Sequence, residues 1–204
     1  MTKIDFKRTL FRSMGNIFRP VYRVNDIQLI FYGPKTAVKV GKGSYGRIHV
    51  YSYQTNCNIS IGNYNSISEI TMIMGGNHHR GITTFPFKAL RLGMDVSEDN
   101  LRSNGIEIGN DCWIGQGVVI LDGVKISTGS IIGANSVIAK STNPYSINVG
   151  NPSVEIGKRF GDEDIHMLLE SHWWNIEEEI LIGNIDLLYS NRVSLFVKRI
   201  KESR

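Results

Sequence analysis

Isoleucine returns at every sixth position along the middle of the chain, from Ile108 to Ile138. A small or apolar residue lies two positions before each of these isoleucines, beginning with Ile106 and ending with Ser136. This spacing matches neither the 3.6-residue period of an amphipathic helix nor the 2-residue period of one long strand. It predicts short flat strands joined by turns, each with one large aliphatic side chain pointing inward. The six isoleucines are Ile108, Ile114, Ile120, Ile126, Ile132 and Ile138.

Three such hexads close one triangular coil of about eighteen residues, so residues 106–141 supply two coils whose stacking buries a continuous aliphatic column. The same period appears upstream at Ile61, Ile67 and Ile73, and more weakly towards Ile48. The pattern therefore predicts an all-β solenoid, specifically a left-handed parallel β-helix. The alternative solenoid, a right-handed β-helix, has longer and less regular coils.

The period breaks between Ile73 and Ile108, because the 35 positions that separate them are not a multiple of six. Residues 75–105 are therefore expected to leave the coil as an extruded loop and to return to it. A loop of this length in a compact domain is usually functional. This division gives an N-terminal arm over residues 1–37 and the solenoid over residues 38–157.

A C-terminal helical segment is predicted over residues 158–204, where the six-residue period ends. Acidic residues open a first helix over Asp162–His172, as the helix dipole favours. Asn175 is predicted to cap a second helix that runs to Leu188. The pair Trp173-Trp174 between them is expected to pack the helices onto the end of the solenoid.

Length and composition describe an ordinary one-domain protein, with 204 residues, 41% hydrophobic and 21% charged. The two cysteines, Cys57 and Cys112, lie in no CxxC motif, and Cys112 occupies an inward position of the repeat. No secretory signal and no run of about 18 apolar residues is visible. We therefore expect a cytoplasmic protein with reduced thiols, in which Cys112 is a core residue rather than a nucleophile.

The net charge of +4 is concentrated in residues 1–24, which contain six lysines and arginines and one acidic residue, Asp5. Apolar residues recur there at helical spacing, so the arm predicts an amphipathic helix. Such a helix could lie on an anionic membrane, which would suit a peripheral enzyme at the inner membrane, or dock on the solenoid or a neighbouring subunit. No zinc-ligand cluster or nucleic-acid-binding motif accompanies it, so neither a metal nor a nucleic acid is expected. The apolar residues are Phe6, Leu10, Phe11, Met14, Ile17 and Phe18.

Two adjacent histidines, His78 and His79, follow Asn77 at the start of the extruded loop. Imidazole titrates near neutral pH, so either ring could act as a general base, and both could equally be surface residues. The sequence chemistry alone leaves these alternatives open.

The loop and the repeat together resemble the hexapeptide-repeat xenobiotic acetyltransferases, which include streptogramin and chloramphenicol acetyltransferases and related sugar O-acetyltransferases. The resemblance covers roughly residues 57–180. It rests on Asn77-His78 with Pro86-Phe87 beginning eight residues after the histidine, and it continues through several repeat motifs. The family often has an aspartate two or three residues after the histidine, where this chain has Arg80 and Gly81. The further motifs are Gly109-Asn110-Asp111-Cys112-Trp113-Ile114-Gly115, Gly133-Ala134-Asn135-Ser136-Val137, Pro144-Tyr145, Gly150-Asn151-Pro152, Lys158-Arg159-Phe160 and Trp173-Trp174-Asn175.

The resemblance implies direct transfer of an acetyl group from acetyl-CoA to an acceptor hydroxyl in a homotrimer, with His78 as the catalytic base beside Asn77. His79 is the fallback base. The acceptor is expected to be a sugar of a surface polysaccharide or its precursor. A hydroxylated antibiotic is the alternative acceptor, and a non-catalytic scaffold is the alternative of another class. The resemblance also implies an active-site lining of His79, Trp113, Pro86 and Phe87, and coenzyme A contacts at Trp113, Gly115, Gly133, Ala134, Lys140, Lys158 and Arg159.

Overall fold

A computed structural model of the chain describes residues 21–34, 36–53, 57–78, 81–95 and 103–203. These residues form a parallel β-solenoid of about five turns, followed in the chain by helices, which confirms the predicted left-handed β-helix class. The strands are β1 (Val21–Val24), β2 (Asp26–Tyr32), β3 (Ala37–Val40), β4 (Tyr45–Ser52), β5 (Asn58–Ile61), β6 (Ser66–Met74), β7 (Ile106–Ile108), β8 (Trp113–Ile114), β9 (Val119–Leu121), β10 (Lys125–Ile126), β11 (Ile131–Ile132), β12 (Val137–Ile138), β13 (Ser146–Val149) and β14 (Val154–Lys158).

Three faces are built by pairing each strand with its counterpart one coil later. The first face contains β3, β5, β7 and β10, and the second contains β8, β11 and β13. The third contains β2, β4, β9 and β12, joined through β6. Strand β6 bends round a corner, because Ser66-Ile67 pair with β8 and Thr71–Ile73 pair with β9.

The core is the aliphatic column that the six-residue period predicts. All six isoleucines from Ile108 to Ile138 are at most 3% exposed, and so are all six residues two positions before them. Full burial of such a side chain contributes about 1.5–3 kcal/mol. The stacked column therefore stabilises coils that would be unstable alone.

The six-residue period is not strict in the earlier coil, and Ile73 does not point inward. Met72 and Met74 are buried instead, and Met72 is paired with Ile120 of the next coil. Four residues separate Ile67 from Met72, whereas five separate Ile114 from Ile120. The corner in β6 is thus one residue shorter, and that change moves Ile73 to the outer side of the strand.

One corner, between the first and second faces, uses left-handed backbone in successive coils. Gly43, Tyr64, Asp111, Gly129 and Tyr145 all have φ between 52° and 77° there. A β-branched residue would be strained in this conformation, which explains why the period carries glycine or polar and aromatic residues at this corner.

Paired strands also occur upstream of residue 38, within the segment assigned to the N-terminal arm. Strand β2 pairs in parallel with β4 over seven residues, and β1 pairs with β2 as an antiparallel hairpin. Residues 1–20 lie outside the described part of the chain, and so does most of the predicted amphipathic helix.

The helices are α1 (Phe87–Leu92), α2 (Asp162–Ser171), α3 (Glu178–Gly183), α4 (Ile185–Leu188) and α5 (Val193–Glu202), with a 3-10 turn at Trp173–Asn175. Among the described residues, no helix is long and apolar enough to cross a bilayer. The first predicted C-terminal helix is confirmed as α2.

The prediction for the second C-terminal helix is wrong in its cap and in its length, since α3 ends at Gly183 and a separate helix, α4, begins at Ile185. Asn175 closes the 3-10 turn instead of capping α3, and its Oδ1 accepts a hydrogen bond of 3.2 Å from Asn63 Nδ2. The helices also pack along the side of the solenoid rather than on its end. There Trp173 stacks on Tyr64, with ring centroids 6.0 Å apart, at the left-handed corner.

Candidate active site

The extruded loop leaves the solenoid at the corner that follows β6. Gly75 and Gly76 have φ of 69° and 70°, and a Cβ on Gly76 would come within 3.0 Å of the Tyr53 ring. The two glycines therefore allow a sharp outward turn directly after the buried Met74. This turn places Asn77 and His78 at the mouth of the loop, both exposed.

Asp122 holds the two ends of this loop together. Its Oδ2 accepts a 3.2 Å hydrogen bond from Asn77 Nδ2, on the outgoing end. Its Oδ1 accepts bonds of 2.6 Å from Ser103 Oγ and 3.2 Å from the Gly105 backbone N–H, on the returning end. One carboxylate thus fixes the neck of the loop beside the two predicted active-site residues.

His78 is oriented by a backbone carbonyl from within the loop. Its Nδ1 lies 2.6 Å from the carbonyl oxygen of Thr84. Because a carbonyl oxygen can only accept, Nδ1 carries the proton in this hydrogen bond. In the neutral ring Nε2 is then left as the basic atom, in the arrangement that a general base requires. His79 lies outside the described residues.

Beyond His78 the loop presents an apolar surface. Pro86 is half-buried and precedes α1, and Phe87 at the start of α1 is 52% exposed. The Phe87 ring meets that of Phe85 edge to face with centroids 4.8 Å apart, and the Arg91 guanidinium lies 5.1 Å from the Phe85 centroid. Together these side chains form an exposed, partly aromatic surface on the loop.

Trp113 belongs to a different face of the solenoid from His78. Its strand, β8, pairs with Ser66 at the beginning of β6, whereas His78 follows the other end of β6. The indole is 58% exposed. One copy of the chain therefore presents Trp113 and His78 on separate surfaces.

The glycines predicted to approach pantetheine are required by the stacking of the coils. A Cβ on Gly115 would lie 2.7 Å from the backbone nitrogen of Ala134, and one on Gly133 would lie 2.8 Å from Val149 Cγ1. Ala134 itself is exposed at the turn after β11. Close contact between coils thus explains the two glycines. Among the three small residues predicted to contact coenzyme A, Ala134 is the exposed one.

The three cations predicted to contact coenzyme A have different surroundings. Lys140 is exposed just after β12. Lys158 makes a 2.7 Å ion pair with Asp162, and this partner raises the pKa of the lysine. Arg159 is partly buried and makes a 2.9 Å ion pair with Asp111, and its NH1 also donates to the Gly129 carbonyl oxygen at 2.8 Å.

Asp111 and Cys112 are neighbours at the left-handed corner, where the Asp111 side chain is partly buried against Arg159 and Cys112 points into the core. Burial raises the pKa of Asp111 above its usual range and outweighs the attraction of Arg159. Burial also raises the pKa of the Cys112 thiol to about 12. The thiol is 1% exposed, as its inward repeat position predicts, and it has no nucleophilic character at neutral pH.

The six-residue period gives no role to Asp122, which lies in the turn between β9 and β10. Its role as a hydrogen-bond acceptor for both ends of the loop depends on contacts between residues far apart in the chain, which a periodic pattern does not specify. Within the described ranges, no group of three or more His, Cys, Asp or Glu side chains could hold a metal ion.

Comparison with known proteins agrees with this fold. The family model described as bacterial transferase hexapeptide (six repeats) matches residues 105–140. A chloramphenicol acetyltransferase of Agrobacterium fabrum is 36% identical over 204 residues, covering 89% of this chain and 95% of the relative. A probable macrolide acetyltransferase of Lysinibacillus sphaericus is 44% identical over 137 residues, covering 64% of this chain and 76% of the relative. A maltose O-acetyltransferase structure from Clostridium difficile is 20% identical, with a TM-score of 0.48, and covers 79% of this chain and 80% of its own.

The chain belongs to the hexapeptide-repeat acetyltransferases, the family that includes these chloramphenicol acetyltransferases. It is accordingly an acyltransferase.

Proposed function

We propose that the protein transfers an acetyl group from acetyl-CoA to a sugar hydroxyl of a surface polysaccharide or its precursor, with His78 as the general base. The observation that carries this proposal is the 2.6 Å contact between His78 Nδ1 and the Thr84 carbonyl oxygen. It directs a basic Nε2 away from the loop backbone. In the transfer, Nε2 takes the proton of the acceptor hydroxyl as its oxygen attacks the thioester carbonyl.

Acetyl-CoA supplies the acetyl group as a thioester. Trp113 offers an exposed apolar surface for the pantetheine chain, next to the coil that carries the exposed Ala134. Lys140 offers an exposed ammonium for the phosphates. Lys158 and Arg159 would have to share their present carboxylate partners with a phosphate, so we assign them a lesser contribution.

A homotrimer would bring His78 of one copy near Trp113 of another. This proposal is supported by the separation of the two residues on different faces of a single copy. The exposed apolar side chains of the loop, among them Phe87 and Leu90, also favour burial against a second subunit.

The antibiotic alternative is retained because relatives carry the names chloramphenicol, macrolide and virginiamycin A acetyltransferase. A hydroxyl on either kind of acceptor would be activated by the same base. The sugar hydroxyl stays the first acceptor to test, and a cytoplasmic location remains part of the proposal. A non-catalytic scaffold is disfavoured by the oriented His78.

The test is release of coenzyme A thiol from acetyl-CoA with a panel of glycan acceptors and antibiotics. It uses the full chain and its His78→Ala and His78→Gln variants. Loss of a general base typically costs 10²–10⁴-fold in rate. We expect acceptor-dependent release that falls by about that factor in both variants while the folded fraction is unchanged.

The acceptor that responds identifies the substrate class. Equal rates in the wild-type and His78 variants would refute the assignment of the base. Absence of release with every acceptor, combined with absence of acetyl-CoA binding by calorimetry, would leave the scaffold as the better explanation.

A further inference from the structure

An apolar groove lies between the left-handed corner and the C-terminal helices, away from the loop that carries His78. It encloses a cavity of about 470 Å³, within the range of cavities that bind ligands or peptide side chains. Trp173, Leu181 and Phe196 form buried walls, and Tyr64 lies at the floor. The Tyr64 hydroxyl is buried and has no hydrogen-bond partner within the described part of the chain.

The rim of the groove is apolar and unusually exposed. Ile182, Ile185 and Tyr189 line the cavity and are 60%, 44% and 86% exposed. Apolar side chains that are exposed together around an open cavity usually mark a binding surface.

The same helices form the most acidic part of the chain. Residues 160–191 contain eight aspartates and glutamates and neither lysine nor arginine, although the whole chain has a net charge of +4. Four of these carboxylates are exposed near the rim and form no ion pair with another described residue. They are Glu177, Glu178, Glu179 and Asp186.

Residues 1–20 have the complementary chemistry. They contain five lysines and arginines against Asp5, together with six large apolar residues at helical spacing. We propose that this N-terminal arm binds in the groove of its own chain, with its apolar residues in the cavity and its cations beside these four carboxylates. The groove is thus an intramolecular docking surface, and the arm is not a membrane anchor.

The arm is long enough to reach the groove. Residue 21 begins β1, which lies three strand spacings from β6, or about 14 Å along the solenoid, and its pairing with Ile30 puts it level with Thr71, at most about 23 Å along the coil from Tyr64. Twenty residues span about 30 Å even as a continuous helix. Tyr64 lies in the turn before β6, so the floor of the groove is within that range.

Cysteine cross-linking of the full chain tests the proposal. Thr9→Cys in the arm is combined with Tyr189→Cys at the rim, and the matched control combines Thr9→Cys with Lys140→Cys at an exposed site on another corner. The native Cys57 and Cys112 are 1% exposed and do not compete for the oxidant. We expect an intrachain disulfide at Tyr189→Cys in at least about fivefold greater yield than in the control.

Charge reversal separates docking from random collision. Glu178→Lys with Glu179→Lys should lower the yield about fivefold, a change equivalent to about 1 kcal/mol. Adding Arg8→Glu and Arg12→Glu to the arm should restore it. Full yield in the reversed variant, or no rescue, would overturn the proposal.

Mixing isotopically heavy and light chains before oxidation shows which copy supplies the arm. Cross-links between heavy and light chains, making up about half of all cross-links in an equal mixture, would assign the arm to a second copy and overturn intramolecular docking. Equal yields at the rim and the control site would also overturn it. So would co-sedimentation with vesicles of phosphatidylglycerol and phosphatidylcholine in the absence of a groove cross-link, which would assign the arm to a membrane.

Discussion

Replacing Asp122 by alanine removes the acceptor that joins the two ends of the extruded loop. The carboxylate accepts three hydrogen bonds, of which the 2.6 Å bond from Ser103 Oγ is the shortest. The bond from Asn77 is exposed and contributes least. The Gly105 N–H keeps a second partner in Ser103 Oγ at 3.2 Å.

The expected loss of stability follows from these three hydrogen bonds. A hydrogen bond to a charged group contributes about 1.5–3 kcal/mol, and only one of the three is short. We therefore expect Asp122→Ala to lower the free energy of unfolding by about 2–3 kcal/mol. Release of Asn77 displaces the neighbouring His78, and a misplacement near 1 Å can cost about 10²-fold in rate. If His78 is the base, kcat should fall about 10- to 100-fold with a smaller change in KM.

Urea denaturation and steady-state release of coenzyme A thiol measure the two effects. Asp26→Ala, at an exposed position at the start of β2, serves as the control and should change neither. Asp122→Asn should recover part of the stability because its amide oxygen still accepts from Ser103. A kcat within about twofold of wild type in a destabilised Asp122→Ala protein would refute the positioning role. An unchanged urea midpoint would refute the estimate of stability.

Three further predictions concern the core and the left-handed corner. Ile120→Ala, at a fully buried position, should destabilise the protein by about 2–5 kcal/mol in urea denaturation, and a cost below 1 kcal/mol would contradict the stacked column. Cys112 should not react with Ellman's reagent in the native protein near pH 8, because its pKa is about 12, and should react once urea unfolds the chain. The raised pKa of Asp111 means that the folded protein binds this proton more tightly than the unfolded chain. Stability should therefore fall as the pH rises above 3.8, the usual pKa, and Asp111→Asn should remove that part of the slope. An unchanged slope would contradict the dominance of burial over the attraction of Arg159.

The repeat was predictable from the sequence because every hexad has the same local requirement. A single isoleucine must point inward at each strand, and coils of equal length stack only if that position recurs. The six isoleucines and the core position of Cys112 followed directly. The extruded loop was visible for the same reason, as the segment where the period fails.

Ile73 shows the limit of this reasoning. Its spacing agrees with the period, but the corner in β6 is one residue shorter than its counterpart in the next coil, so Met72 takes the inward position. Side chains alternate along a strand, and a change of one residue at a corner reverses every side chain after it. The pairing between coils decides that count.

The sequence by itself determined the solenoid and the position of the loop, because these depend on local periodicity, and the choice of His78 as candidate base came from the family resemblance. The tertiary structure alone decided how His78 is oriented and how Asp122 closes the loop. It also decided that Trp113 lies on another face and that the helices cover a side of the solenoid. Each of these depends on contacts between residues far apart in the chain, and a periodic pattern specifies what points inward but not which distant groups meet outside the coil.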